Sequence, residues 1–229
     1  MENLDNFFKC AFTVDNVIFG FDEGDLKVLL IKRGEAPYED MWALPGYFVY
    51  QTEDLDSAAN RVLAELTGLR NVYLEQVKAF GRSDRHPVGR VITIAYYSLI
   101  KISDYKINAA SIARKASWHS IPTVPELAFD HNDILTACFK RLKRRVRGRP
   151  IGFELLPPKF TLTELQHLYE SILETELDKR NFRKKILSMN LLVDLEETQE
   201  GVAHRPARLY QFDRDKYEHL FAKGFNFEL

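Results

Sequence analysis

Two spacing rules divide this chain. Over roughly the first 145 residues, apolar runs of strand type are interrupted by two stretches of helical spacing; beyond residue 150 helical spacing comes first and two short strands follow. Residues 9–21 are rich in Phe, Val and Ile and predict a strand pair or one long bent strand. Asp22-Glu-Gly-Asp25 predicts a turn, because Asp and Gly accept the unusual dihedrals a turn needs. Residues 26–32 (LKVLLIK) predict a buried strand, and Trp42-Ala-Leu-Pro-Gly46 a loop. In 55–66 the apolar positions Leu55, Ala59, Val62, Leu63 and Leu66 share one helical face, and Gly68 is a natural stop. Strands are expected at 73–80 and 90–102, the latter a β-branched and aromatic run. A short strand at 118–121 and a helix over 131–146 complete the first part.

Residues 140–149 (KRLKRRVRGR) form a charge run that reads most simply as the solvated end of a helix entering a linker. Pro150, Pro157 and Pro158 punctuate the chain and place a boundary between 1–149 and 150–229. The second part begins a helix at residue 160 with two overlapping capping boxes, Thr161 with Glu164 and Thr163 with Gln166. Leu165, Leu168, Tyr169, Ile172 and Leu173 follow helical spacing. Asp178 then caps a basic helix over 179–190, with Phe182, Ile186, Leu187 and Met189 able to face a core. Residues 191–195 and 208–212 predict a hairpin joined by a polar, glycine-containing segment. Two helices and a hairpin in this order make a winged helix-turn-helix candidate.

Composition narrows the classes. At 229 residues, 45% hydrophobic and 28% charged, the chain reads as an ordinary globular protein of one large or two modest domains. A formal net charge of −1 argues against a broadly polyanion-binding surface while leaving room for local basic patches. Cys10 and Cys138 stand far apart and in no metal spacing, which suits small core residues in a reducing compartment. No apolar run is long enough to span a membrane and the acidic start lacks a signal-peptide layout, so a cytoplasmic protein is expected.

The first part carries a damaged motif. Gly46-Tyr-Phe-Val-Tyr-Gln-Thr-Glu53, followed by Arg61-Val-Leu-Ala-Glu65-Leu-Thr-Gly68-Leu69, resembles the Nudix box, G-x5-E-x7-R-E-U-x-E-E-x-G-U with U apolar. Glu53, Arg61, Glu65 and Gly68 keep their places. Val62 and Leu66 stand where the box has acids, and Tyr47 where it opens with glycine. In the family those acids hold Mg²⁺ on a pyrophosphate. Positions 62, 65 and 66 converge on a helix, and Mg²⁺ binds poorly without carboxylates. The resemblance, over roughly residues 8–145, therefore implies an α/β Nudix-like sandwich, a mixed sheet with helices, without a catalytic set, cofactor or metal. Glu65 then reads as a solvated or Arg61-paired helix residue.

The basic helix points to nucleic acid. Duplex DNA offers dense phosphates and a major groove wide enough for one helix. Lys179, Arg180, Asn181 and Arg183 supply cations and base-reading groups, and the hairpin carries His204, Arg205 and Arg208. A solvated charged face is the plainer alternative. The segments 156–166, 177–187 and 203–212 resemble the winged-helix half of the Nudix-related transcriptional regulators. That family implies homodimers on palindromic operators, responding to a small molecule held by the degenerate Nudix domain. On this likeness Asn181, Arg183 and Lys184 read the site and His204, Arg205 and Arg208 serve the wing.

The effector is read from chemistry and branch. One branch of the family senses ADP-ribose and controls NAD synthesis; a related branch in gut bacteria responds to L-arabinose. The missing carboxylates, with Tyr47 in place of glycine, disfavour a pyrophosphate mode. A neutral pentose needs aromatic faces and hydrogen-bonding groups, which Trp42 and Tyr47 supply together with Arg82, Asp84, Arg85, His86 and Arg90. The expectation is a repressor of sugar utilisation gated by L-arabinose. The alternatives are an ADP-ribose-responsive regulator of NAD metabolism and an active Nudix pyrophosphohydrolase using Glu53 and Glu65. A third class is a basic module that docks on an acidic protein.

Overall fold

The computed structural model of the protein describes residues 9–22, 24–109, 111–201 and 205–229, the side chain of Glu154 excepted. The described residues form two compact units: those within 1–20 and 27–141, and those within 21–26 and 142–229.

In the first unit, β1 (Ala11–Asp22) and β2 (Asp25–Arg33) are buried through residues 14–20 and 28–31. Such unbroken burial matches their Val, Ile, Leu and Phe content. Of the two expectations for 9–21, the single long strand is correct. The sheet runs β3-β2-β1-β6-β5, with β5 (Glu75–Phe80) and β6 (Val91–Lys101) antiparallel. The segment 42–46, expected as a loop, contributes two short strands. β3 (Trp42–Ala43) pairs β2 at Ile31, and β4 (Gly46–Phe48) pairs β1 with Val14 opposite Tyr47. Pairing partners distant in sequence create these strands, which no local periodicity announces. β7 (Ala113–Ser120) is likewise longer than expected, because its polar first half also finds β2, at Ile31 to Arg33.

α1 (Leu55–Thr67) begins at Asp54, whose carboxylate accepts from the Ser57 N–H at 2.7 Å, and ends at Gly68 with φ 77°. Such a left-handed cap suits glycine. Its buried face is Ala58, Ala59, Val62, Leu63 and Leu66; Leu63 joins Ile18 and Leu29 in one core cluster, and the others join Val14, Ile31, Ile94 and Tyr96 in another. α2 (His131–Gly148) starts immediately after Asp130 and extends two residues beyond the expected end.

In the second unit, α3 (Leu162–Leu173) carries a complete capping box between Thr161 and Glu164. The second expected box does not form. Gln166 Nε2 donates instead to Glu170 Oε1 and to the Leu177 carbonyl, each at 2.9 Å. α4 (Lys179–Ser188) is capped by Asp178. Phe182 and Ile186 are buried, but Leu187 is 46% exposed and not a core residue. β8 (Leu192–Thr198) and β9 (Arg208–Phe212) form the hairpin, and Phe160 bridges Tyr210 as a third, one-residue strand. α5 (Arg214–Ala222), capped by Asp213, was not expected; its Tyr217 packs near Phe212. Helix, basic helix and hairpin make the winged arrangement, and a mixed sheet with helices makes the first unit. Among the described residues no helix is long and apolar enough to cross a membrane.

Candidate effector pocket and nucleic-acid interface

The first unit holds a cavity of about 260 Å³. Its polar wall includes Asp15 in β1, Arg33 at the end of β2, Glu35 just beyond it, Arg85 between β5 and β6, and His131 at the start of α2. Asp15 is 4% exposed and Arg85 6%. The Arg85 guanidinium clasps Asp130, Nε to Oδ2 at 2.9 Å and Nη2 to Oδ1 at 2.7 Å, and stands 3.7 Å from Asp15 Oδ2. Thr93 Oγ1 donates to Asp15 Oδ2 at 2.6 Å. His131 Nδ1 accepts from the Leu44 N–H at 3.0 Å, which leaves Nε2 facing Asp15 Oδ1 at 3.4 Å. Burial holds the imidazole below its ordinary pKa despite the neighbouring carboxylates. Arg33 Nε donates to the Pro37 carbonyl at 2.8 Å, and the guanidinium lies 5.0 Å from the Phe129 ring centre. Phe129 in turn stacks on His86 and meets Tyr38 edge-on. Desolvation lowers the pKa of both Arg33 and His86.

Glu53, Arg61 and Glu65 of the Nudix-like motif are not part of the cavity lining and do something else. Arg61 donates to Glu53 through Nε at 2.9 Å, to Glu65 through Nη1 at 3.1 Å and to the Phe48 carbonyl through Nη2 at 2.9 Å. Tyr50 covers the guanidinium at 4.0 Å. Both surviving carboxylates thus serve one arginine, and that hydrogen bonding holds Glu53 below the usual carboxylate range. The expectation that positions 62, 65 and 66 converge is corrected. Val62 and Leu66 turn into the core at 0% and 2% exposure, while Glu65 faces outward. Mg²⁺ needs several free oxygen ligands, and this donor set does not fit it.

The seven expected effector residues separate. Tyr47, Arg85 and His86 line the cavity. Trp42 does not: it packs edge-on against His119, with ring centres 4.4 Å apart, and Lys115 lies beside it. Arg82 and Asp84 pair with each other at 3.4 Å on the surface, and exposed Arg90 donates to the Gly81 carbonyl at 2.7 Å. Solvent-facing turn positions explain all three. The sequence reading missed Asp15, Arg33, Phe129 and His131. One signal was present, since Asp15 is a carboxylate, beside Asn16, within a mostly apolar strand run, where charge is rare without a purpose.

On the second unit, Lys179, Arg180, Asn181 and Lys184 are exposed on α4. Arg183 is half-buried, and its Nη2 donates to Thr163 Oγ1 on α3 at 3.0 Å. Arg208 Nη1 donates to Asp194 Oδ2 across the hairpin at 2.8 Å. Arg205 is exposed, and His204 lies outside the described residues. α4 therefore presents an outward basic face flanked by a hairpin arginine, the layout a DNA groove accommodates.

Residues 11–138 match the model of the NUDIX domain, and residues 152–212 that of the NrtR DNA-binding winged helix domain. The chain is 37% identical over 215 residues, 92% of its length and 85% of the relative's, to the ADPR responsive transcriptional repressor NtrR of Acinetobacter baylyi. The structure resembles Shewanella oneidensis NrtR complexed with a 27mer DNA, with TM-score 0.73, 30% identity, and 94% of this chain and 97% of that one covered. It also resembles the NUDIX domain of Shewanella oneidensis NrtR complexed with ADP ribose, with TM-score 0.57, 30% identity, and 61% and 93% covered. The expected arabinose branch finds no support among these relatives. The chain belongs to the NrtR family of transcriptional regulators, a NUDIX domain followed by an NrtR winged helix domain.

Proposed function

We propose that this chain is an effector-gated transcriptional repressor: residues 150–229 bind a palindromic operator as part of a homodimer, and residues 1–149 hold a small effector that releases it. The observation that carries the reading is the pocket at Asp15, Arg85 and His131, built beside a Nudix box whose acids have become core residues. Lys179, Arg180, Asn181 and Lys184 contact DNA directly, Arg205 and Arg208 follow from the hairpin, and Arg183 fixes α4 on α3. ADP-ribose, or a nucleotide like it, is the effector the relatives favour. The chain does not hydrolyse it, because among the described residues no group of carboxylates and imidazoles is placed to hold a metal.

A second reading, L-arabinose or a close pentose, has one specific observation behind it. Arg85 is engaged from behind the wall by Asp130 through two hydrogen bonds, and the wall itself sets Arg33 and Arg85 against the carboxylates of Asp15 and Glu35. Such a wall favours a neutral ligand over a pyrophosphate. The test is operator binding: select a duplex from a random pool with the purified chain, then titrate ADP-ribose and L-arabinose into the complex by fluorescence anisotropy. Release by ADP-ribose supports the first reading and release by arabinose alone the second. No specific duplex at all would sink the regulator assignment.

A further inference from the structure

Asp15 is the least ordinary group in the cavity. An ideal Cβ on Gly46 would lie 1.8 Å from Asp15 Oδ1, so the carboxylate occupies space that only a glycine in β4 leaves open. Arg85 and the Thr93 hydroxyl already compensate its charge on the Oδ2 side. Oδ1 keeps a long 3.4 Å approach from His131. A buried, charge-compensated carboxylate with a weakly used oxygen wants a neutral donor. A second cation would meet Arg85, and a phosphate would meet the carboxylates. Tyr47, Phe48, Val91 and Phe129 complete the lining with apolar surface, the setting in which a few polar groups fix a ligand's orientation.

We propose that Asp15 is the specificity-determining acceptor of this pocket: its carboxylate takes hydrogen bonds from adjacent hydroxyls of a pentose ring and turns phosphate away from that wall. This rests on the reading of the cavity as the effector site. The pentose ring is the group that free L-arabinose and the terminal ribose of ADP-ribose have in common, so the chemistry is one and the sources are two.

The experiment is calorimetric titration of the full chain and of Asp15→Asn with two pairs of probes. One pair is ADP-ribose and ADP, which lacks the terminal ribose; the other is L-arabinose and its 2-deoxy counterpart. Wild type is expected to bind ADP-ribose over ADP, or L-arabinose over its 2-deoxy counterpart, about tenfold or more tighter, and the pair that shows the difference identifies the source. Asp15→Asn is expected to bring that difference within about twofold. A variant that keeps the full difference overturns the assignment. So does a wild type that binds both members of each pair equally, a result that needs no variant to fold. If ADP-ribose releases operator from Asp15→Asn and wild type at the same concentration, the effector reading stands and Asp15 alone falls. If no probe binds wild type, both fall together.

Discussion

Arg85 and Asp130 meet through two hydrogen bonds of 2.9 and 2.7 Å with both side chains 4% exposed. Removing one partner of such a pair strands the other charge away from water, a loss of roughly 3–5 kcal/mol. Asp130→Ala is therefore expected to destabilise the first unit by that amount. Both tryptophans, Trp42 and Trp118, belong to this unit, so their fluorescence in urea follows it directly. An unchanged midpoint would show that Arg85 is not stranded when Asp130 is removed, its charge being met by Asp15 instead.

The acids missing from the Nudix box cannot simply be restored. Val62 and Leu66 sit among Val14, Ile31, Ala43 and Tyr96 in the core. A carboxylate there is desolvated and unpaired, which costs several kcal/mol unless it protonates. Val62→Glu with Leu66→Glu is expected to unfold the unit at 37 °C and to yield no turnover of ADP-ribose with Mg²⁺. A folded, hydrolytic double variant would contradict this account.

Much of this fold is legible because its periodicities are strong. The buried runs of β1 and β2, the Asp54 and Gly68 ends of α1 and the Thr161–Glu164 box of α3 all have local causes. β3, β4 and most of β7 have none; they exist because β1 and β2 offer edges to segments far away in sequence. The pocket suffers from the same limit. Arg85 and His86 are visible in a polar cluster, but the partners that define the role of Arg85, Asp15 and Asp130, lie 70 and 45 positions away. Trp42 shows the converse, an aromatic whose neighbours His119 and Lys115 are set by β7 pairing.

Stability should depend on pH through His131. Its pKa is lowered in the folded chain by burial, so the unfolded chain binds the proton first as pH falls. Its contribution is complete above the ordinary histidine value near 6.5 and is lost as pH drops through the lowered folded value. Urea midpoints are expected to decline from about pH 6.5 downward, and His131→Gln should flatten that decline. Equal slopes in both proteins would remove His131 from the explanation.

On α4, the adjacent basic residues Arg183 and Lys184 should behave differently. Lys184 is exposed, so Lys184→Ala is expected to weaken all duplexes alike and to reduce the salt slope by about one. Arg183 is tied to Thr163. Arg183→Ala should lower the thermal transition of the second unit as well as DNA affinity, while Arg183→Lys, lacking the planar fork, should not restore either fully. Salt-resolved anisotropy with parallel melting curves separates the two effects.

The central claim is that the pocket and the operator site are coupled in one repressor. Coupling requires reciprocity: if an effector weakens operator binding tenfold, operator must weaken effector binding by the same factor, about 1.4 kcal/mol. The direct measurement is calorimetric titration of the full chain with ADP-ribose, with and without saturating operator duplex. The expected result is binding to the free chain and at least tenfold weaker binding to the complex. Identical ADP-ribose affinity in both titrations, or L-arabinose alone showing the difference, would contradict the ADP-ribose account.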